Sequence, residues 1–106
     1  IEKDNTIKTL IFDEVDSGVG GATASAIGNK LLKIGNKQQT IVVTHSPQVA
    51  SKGNHHIVIK KNIIENETIT KTFELGYKEK IEEIARMISD DNISDEARNA
   101  ASKLIN

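Results

Sequence analysis

Apolar positions in this chain come as short unbroken runs and as helical stripes, and the two alternate. Residues 7–12 are apolar enough to predict a strand covered on both faces, as parallel strands are. Beyond a glycine-rich segment, Ala24, Ile27, Leu31 and Ile34 recur at steps of three and four. That spacing predicts an amphipathic helix over 22–34, stopped by Gly35-Asn36. Residues 40–44 are β-branched throughout and predict a second strand. A strand–helix–strand crossover is almost always right-handed, so the two strands run parallel and their C-terminal ends share one edge. Ser46 and Pro47 then suit the N-cap and first position of a short helix through residue 50. Weak alternation around Ile57 and Ile59 predicts a third strand over 55–60, and 68–75 a fourth. The polar turn at 62–66 pairs them as a hairpin. From Lys78 the pattern is helical again, with Ile81, Ile84, Ala85 and Ile88 on one stripe until Asp90, Asp91 and Asn92 break it. A last helix starts at Ser94, with Asp95 and Glu96 where carboxylates suit the helix dipole and Ala97, Ala101 and Leu104 on its inner face.

Composition narrows the classes. A chain of 106 residues is one domain or a piece of one. The formal charge of −1 supplies no basic field with which this chain alone would grip nucleic acid. Without cysteine there is no disulfide framework and no thiolate metal site. No apolar run approaches the ~20 residues needed to span a bilayer. The opening residues, Ile1-Glu2-Lys3-Asp4-Asn5, resemble neither a signal peptide nor a native start, so the chain is expected to be cut from something longer. The triplets Asn66-Glu67-Thr68 and Asn92-Ile93-Ser94 are read as unmodified, and the setting as cytoplasmic.

The chemistry gathers where the first apolar run ends, at Asp13-Glu14-Val15-Asp16-Ser17-Gly18-Val19-Gly20-Gly21. In open α/β sheets the carboxyl ends of the strands are where ligands bind. Carboxylates this close to a buried run are expected to be partly buried and therefore to need a partner. The parallel arrangement delivers His45, from the end of the second strand, to the same edge. Two carboxylates and a histidine there suit a magnesium-dependent phosphoryl reaction. One carboxylate would hold Mg²⁺ through retained waters. The other would act as general base toward an attacking water. The histidine would donate to a phosphate oxygen as charge builds on it. Gly18, Gly20 and Gly21 fit either close approach of a phosphate or partner chain, or a plain strand-to-helix turn. The segment lacks the Gly-Lys-Ser/Thr ending of a P-loop.

Thr9-Leu10-Ile11-Phe12-Asp13-Glu14 resembles the Walker B motif of the ABC-type ATPases, Ser17-Gly18-Val19-Gly20 their D-loop, and Thr44-His45-Ser46 their H-loop. More narrowly, residues 12–21, 44–50 and 82–88 resemble the C-terminal end of the RecN family of bacterial DNA-repair ATPases, over about 8–104 in all. The resemblance implies an α/β fold, the C-terminal part of a P-loop NTPase head. It would have a mostly parallel sheet with flanking helices, then a β-hairpin and two helices. It implies that Asp13 holds the Mg²⁺ of MgATP through water, that Glu14 is the catalytic base and that His45 contacts the γ-phosphate. Ser17, Gly18, Val19 and Gly20 would lie at a head-to-head homodimer interface beside bound ATP. Many ABC ATPases carry aspartate where this chain has Gly20, a departure shared with RecN-like proteins. The P-loop, the long coiled coil and the signature motif have no counterpart among the 106 residues. The family fold would place the P-loop strand between the second and third strands, so this chain alone is expected neither to bind ATP well nor to hydrolyse it. The implied role is ATP-driven head dimerisation coupled to DNA binding or tethering in double-strand-break repair and recombination, in the bacterial cytoplasm at the nucleoid and away from membranes. The alternatives are the head of an SMC-like chromosome-maintenance protein or a transporter, or a non-enzymatic phosphoacceptor or dimerisation module.

Three further features read as structural. His55 and His56 are adjacent on a strand and face opposite sides, which disfavours a shared metal. Lys60-Lys61 reads as a solvated pair, and Arg86, amid Glu82, Glu83 and Asp90, as an i,i+4 helix pair.

Overall fold

The computed structural model describes residues 8–90 and 92–106; the readings placed on Ile7 and Asp91 lie outside them. The elements run β1 (Thr9–Asp13), α1 (Gly21–Gly35), β2 (Gln39–Val43), α2 (Pro47–Ala50), β3 (Ile57–Ile64), β4 (Glu67–Glu74), α3 (Tyr77–Ser89) and α4 (Asp95–Ile105). β1 and β2 are parallel, with Thr9 opposite Gln39 and Asp13 opposite Val43. β3 and β4 are antiparallel and form a sheet of their own. Among the described residues the result is a mixed α/β chain with a two-stranded parallel sheet, a separate two-stranded antiparallel hairpin as expected, and four helices.

The hairpin is longer and tighter than its sequence predicts. Ile64 pairs with Glu67, so only Glu65 and Asn66 form the loop. Both have positive φ, 51° and 65°, as the type I′ turn that matches strand twist demands. Asn66 tolerates that conformation well, whereas Glu65 is a less usual occupant.

Helices cover only one face of the parallel pair. Phe12 and Val42 pack on a small core of Ala24, Leu31 and Val49, with Ile27 beside them. On the other face Ile11 is 69% exposed, with Ile41 and Val43 also open. The expectation that the first strand is covered on both faces therefore fails within this chain, because no second layer of the described residues reaches it. A second core joins α3 to α4 through Ile84, Ala85, Ala97 and Ala101, with Ala50, Ile81 and Leu104 packed against it. The four-residue helix α2 links the cores, since Val49 belongs to the first and Ala50 touches the second. Ile88, placed on the inner stripe by periodicity, sits at its exposed margin.

Gly28 lets α1 approach α2. A Cβ there would meet the Gln48 carbonyl oxygen at 3.0 Å and the Lys52 Cγ at 3.2 Å. Gly28→Val forces the helices apart and is expected to cost about 1–3 kcal/mol, the usual range for overpacking. Chemical denaturation followed by circular dichroism measures this; an unchanged midpoint would contradict the close approach.

The helix ends follow capping rules. Gly76 N–H donates to Glu79 Oε1 at 2.9 Å at the start of α3. Ser94 Oγ accepts from the Ala97 N–H at 3.1 Å at the start of α4. Arg86 bonds Glu83, three residues back. Glu82 is left to accept from Arg98 Nε across the helix pair, at 2.8 Å. Among the described residues no helix is long and apolar enough to cross a membrane.

Two groups near the hairpin base make stability pH-dependent. His56 is held below its ordinary value of 6.5, first by burial and then by the charge of Lys80, with Glu83 opposing. Its Nδ1 is buried without a hydrogen-bond partner among the described residues. Glu83 is held below 4.5, chiefly by its hydrogen bonds from Arg86. Both folded values are depressed, so in each window the unfolded chain binds more protons and stability falls with pH. Tm is expected to decline below about pH 6.5 and again below about 4.5, with His56→Gln flattening the first part. A Tm unchanged between pH 7 and 5 in the parent chain would refute this.

Candidate functional site at the carboxyl edge of the parallel strands

The site is wound from the backbone. β1 stops at Asp13, and Glu14 turns the chain with φ 53°, its N–H donating to the Val43 carbonyl at 2.8 Å. Ser17 N–H closes a turn on the Glu14 carbonyl at 3.1 Å. Gly18 follows with φ 79°, where a side chain would be strained. His45 leaves β2 beside this loop, and its Nε2 lies 3.2 Å from Glu14 Oε1. The His45 side chain is 89% exposed, so its ring is open to a ligand.

The parallel strands thus bring together Glu14 and His45, as strand order predicts. Asp13 stands apart from that pair. It lies on the open face with Ile11, exposed, and among the described residues no hydrogen bond or ion pair reaches its carboxylate. The expectation of partly buried carboxylates at 13 and 14 is corrected here, because ending the strand at Asp13 and turning at Glu14 carries both into solvent. The buried acid is Asp16, only 7% exposed, which sequence reading passed over. Its Oδ2 accepts from the Thr44 hydroxyl. A signal was available: Asp16 stands two residues past Glu14 and Thr44 one before His45, at the ends of neighbouring parallel strands. Glu14, Asp16, Ser17, Gly18, His45 and Ser46 line a shallow cleft of about 230 Å³. Val19 and Gly20 lie outside it.

The glycines divide. The Gly18 backbone explains itself, whereas Gly20 caps α1 at an ordinary φ of −74° with open space where a Cβ would sit. Nothing within the described chain requires glycine there. Ser46 caps α2 by position without a side-chain cap bond, its hydroxyl donating instead to Gln48 Oε1 at 3.0 Å. His55 Nδ1 lies 2.9 Å from Glu74 Oε2, and the His56 ring turns inward, so the two imidazoles part. Lys60, read as solvated, stands 5.8 Å over the Phe73 ring. Among the described residues no group of three or more potential ligands could enclose a metal ion. Asp13, open and unpartnered, fits an ion held through water.

No family model matches the chain. The fold resembles part of an SMC ATPase. A solved chain from work on the ATP-driven dimerization and DNA-stimulated activation of SMC ATPases superposes with a TM-score of 0.62 at 15% identity, over 83% of this chain and 52% of that one. In sequence the chain is homologous to the DNA repair protein RecN. It is 46% identical to that of Xylella fastidiosa strain 9a5c over 101 residues, 95% of this chain. It is 44% identical to RecN of Rickettsia prowazekii over 103 residues, and 38% identical to that of Haemophilus influenzae over 101. The chain spans 18–19% of the length of these curated relatives.

Proposed function

We propose that this segment supplies the hydrolytic edge of a RecN-like ATPase head: the C-terminal part of a P-loop NTPase fold, carrying Walker B, D-loop and H-loop. The observation that carries the reading is the Glu14–His45 contact at the shared edge of two parallel strands. In this reading Glu14 takes a proton from the attacking water, and its open carboxylate is free to do so. His45 Nε2 lies beside the Glu14 carboxylate in the resting state and would turn to a γ-phosphate oxygen when nucleotide is bound. Asp13 would bind Mg²⁺ through water, and the ion would neutralise phosphate charge. Ser17 to Gly20 would face a second head, for which the open space at Gly20 leaves room. The bare face of Ile11, Ile41 and Val43, and the unshared sheet edge, are where the remainder of the head with its P-loop strand would pack. Assembly and disassembly of heads would be coupled to DNA tethering during double-strand-break repair.

Reading the coding frame on the Ile1 side and assaying the encoded protein for Mg²⁺-dependent ATP turnover tests this. A Gly-x-x-Gly-x-Gly-Lys-Ser/Thr loop together with DNA-responsive turnover is the expected result. Its absence, or micromolar ATP binding by the 106-residue chain alone, would overturn the reading.

A further inference from the structure

We infer that Asp16 and Thr44 are positioning residues that set His45 against Glu14. Both members of that contact are solvent-exposed, and neither side chain is packed into place. Holding two exposed side chains together costs conformational entropy, and exposed pairs return little. Their alignment must therefore come from the backbones that carry them.

The Thr44 hydroxyl does this for His45 from both sides. Its single proton is donated to the buried Asp16 Oδ2, which leaves its lone pairs to accept the Ser46 N–H at 2.9 Å. Thr44 directly precedes His45 and Ser46 directly follows it, so one oxygen pins the chain on either side of the histidine. The other end of the strap is Asp16, in the loop that Glu14 opens. Glu14 is itself fixed by its N–H bond to Val43 and by the turn from Ser17. Burial of Asp16 makes the strap unforgiving, because a carboxylate held away from water must keep its donor.

This inference rests on the proposed roles of Glu14 and His45 only for its catalytic consequence; the alignment itself can be read without turnover. The side-chain ¹⁵N resonance of His45 Nε2, recorded on the 106-residue chain, reports whether Nε2–H meets a carboxylate. Glu14→Gln is expected to shift it in the parent chain. In a Thr44→Val background that sensitivity should vanish, while Thr44→Ser, which keeps the hydroxyl, should retain it. A full response in Thr44→Val would overturn the proposal. So would a lost response in Thr44→Ser, even if Thr44→Val failed to fold. In the ATPase that carries this segment, Thr44→Val should lower kcat with KM nearly unchanged, and Thr44→Ser should rescue it. Lost alignment with unaltered kcat would remove the catalytic reading of Glu14 and His45 while leaving the strap intact.

Discussion

Glu14→Gln is expected to reduce ATP turnover by about 10²–10⁴-fold in the protein that carries this segment, the contribution usual for a positioned general base. The substitution keeps size and hydrogen-bonding reach while removing the basic oxygen. Glu14 is half-exposed and its backbone, not its side chain, closes the turn onto Val43. Folding should therefore be unaffected, and so should nucleotide binding. Heads that bind but cannot hydrolyse are expected to accumulate as ATP-bound dimers. Steady-state turnover and size-exclusion chromatography with MgATP measure the two effects. Turnover within threefold of the parent protein would assign the base elsewhere.

Ile84→Ala should produce the largest loss of stability, about 2–5 kcal/mol. Ile84 is wholly buried between α3 and α4, where its neighbours Ala85, Ala97 and Ala101 are too short to collapse into the space left behind. A domain of this size has roughly 5–15 kcal/mol in hand, so the change removes much of the margin. Ile63→Ala supplies the contrast. That residue is 77% exposed on the hairpin, and its truncation should stay within about 0.5 kcal/mol. Denaturant midpoints for the two variants decide the matter; equal effects would mean that the helix pair is not the main core.

Periodicity made the βαβ unit, the hairpin and both C-terminal helices readable, because each buries one face and its sequence records which. The Glu14–His45 contact was readable for a related reason: parallel strands that end together bring their next residues together. Other features left weaker traces. An apolar run at residues 9–12 does not say whether its second cover lies in the same chain, and here Ile11 is bare. Glu65-Asn66 lacks the Asn-Gly signature of a tight turn, so the hairpin reads as too short. Asp16 reads as one more surface acid until the Thr44 hydroxyl is seen to reach it. Arg86 had several acids within helical reach, and its bonds to Glu83 become visible only in the structure.

Among the described residues the β3–β4 hairpin packs its backbone against no other element, and a cleft of about 360 Å³ separates Val58 and Phe73 from the charged face of α3. Two strands alone are marginal in water. The chain is therefore expected to have two tiers of stability rather than one. Opening the helical cores means unfolding the molecule, while the hairpin can detach at far lower cost as a cooperative unit of its own. Its isoleucine-rich strands, Ile57, Ile59, Ile63 and Ile64, are then the part of the native ensemble most ready to pair with a neighbouring chain.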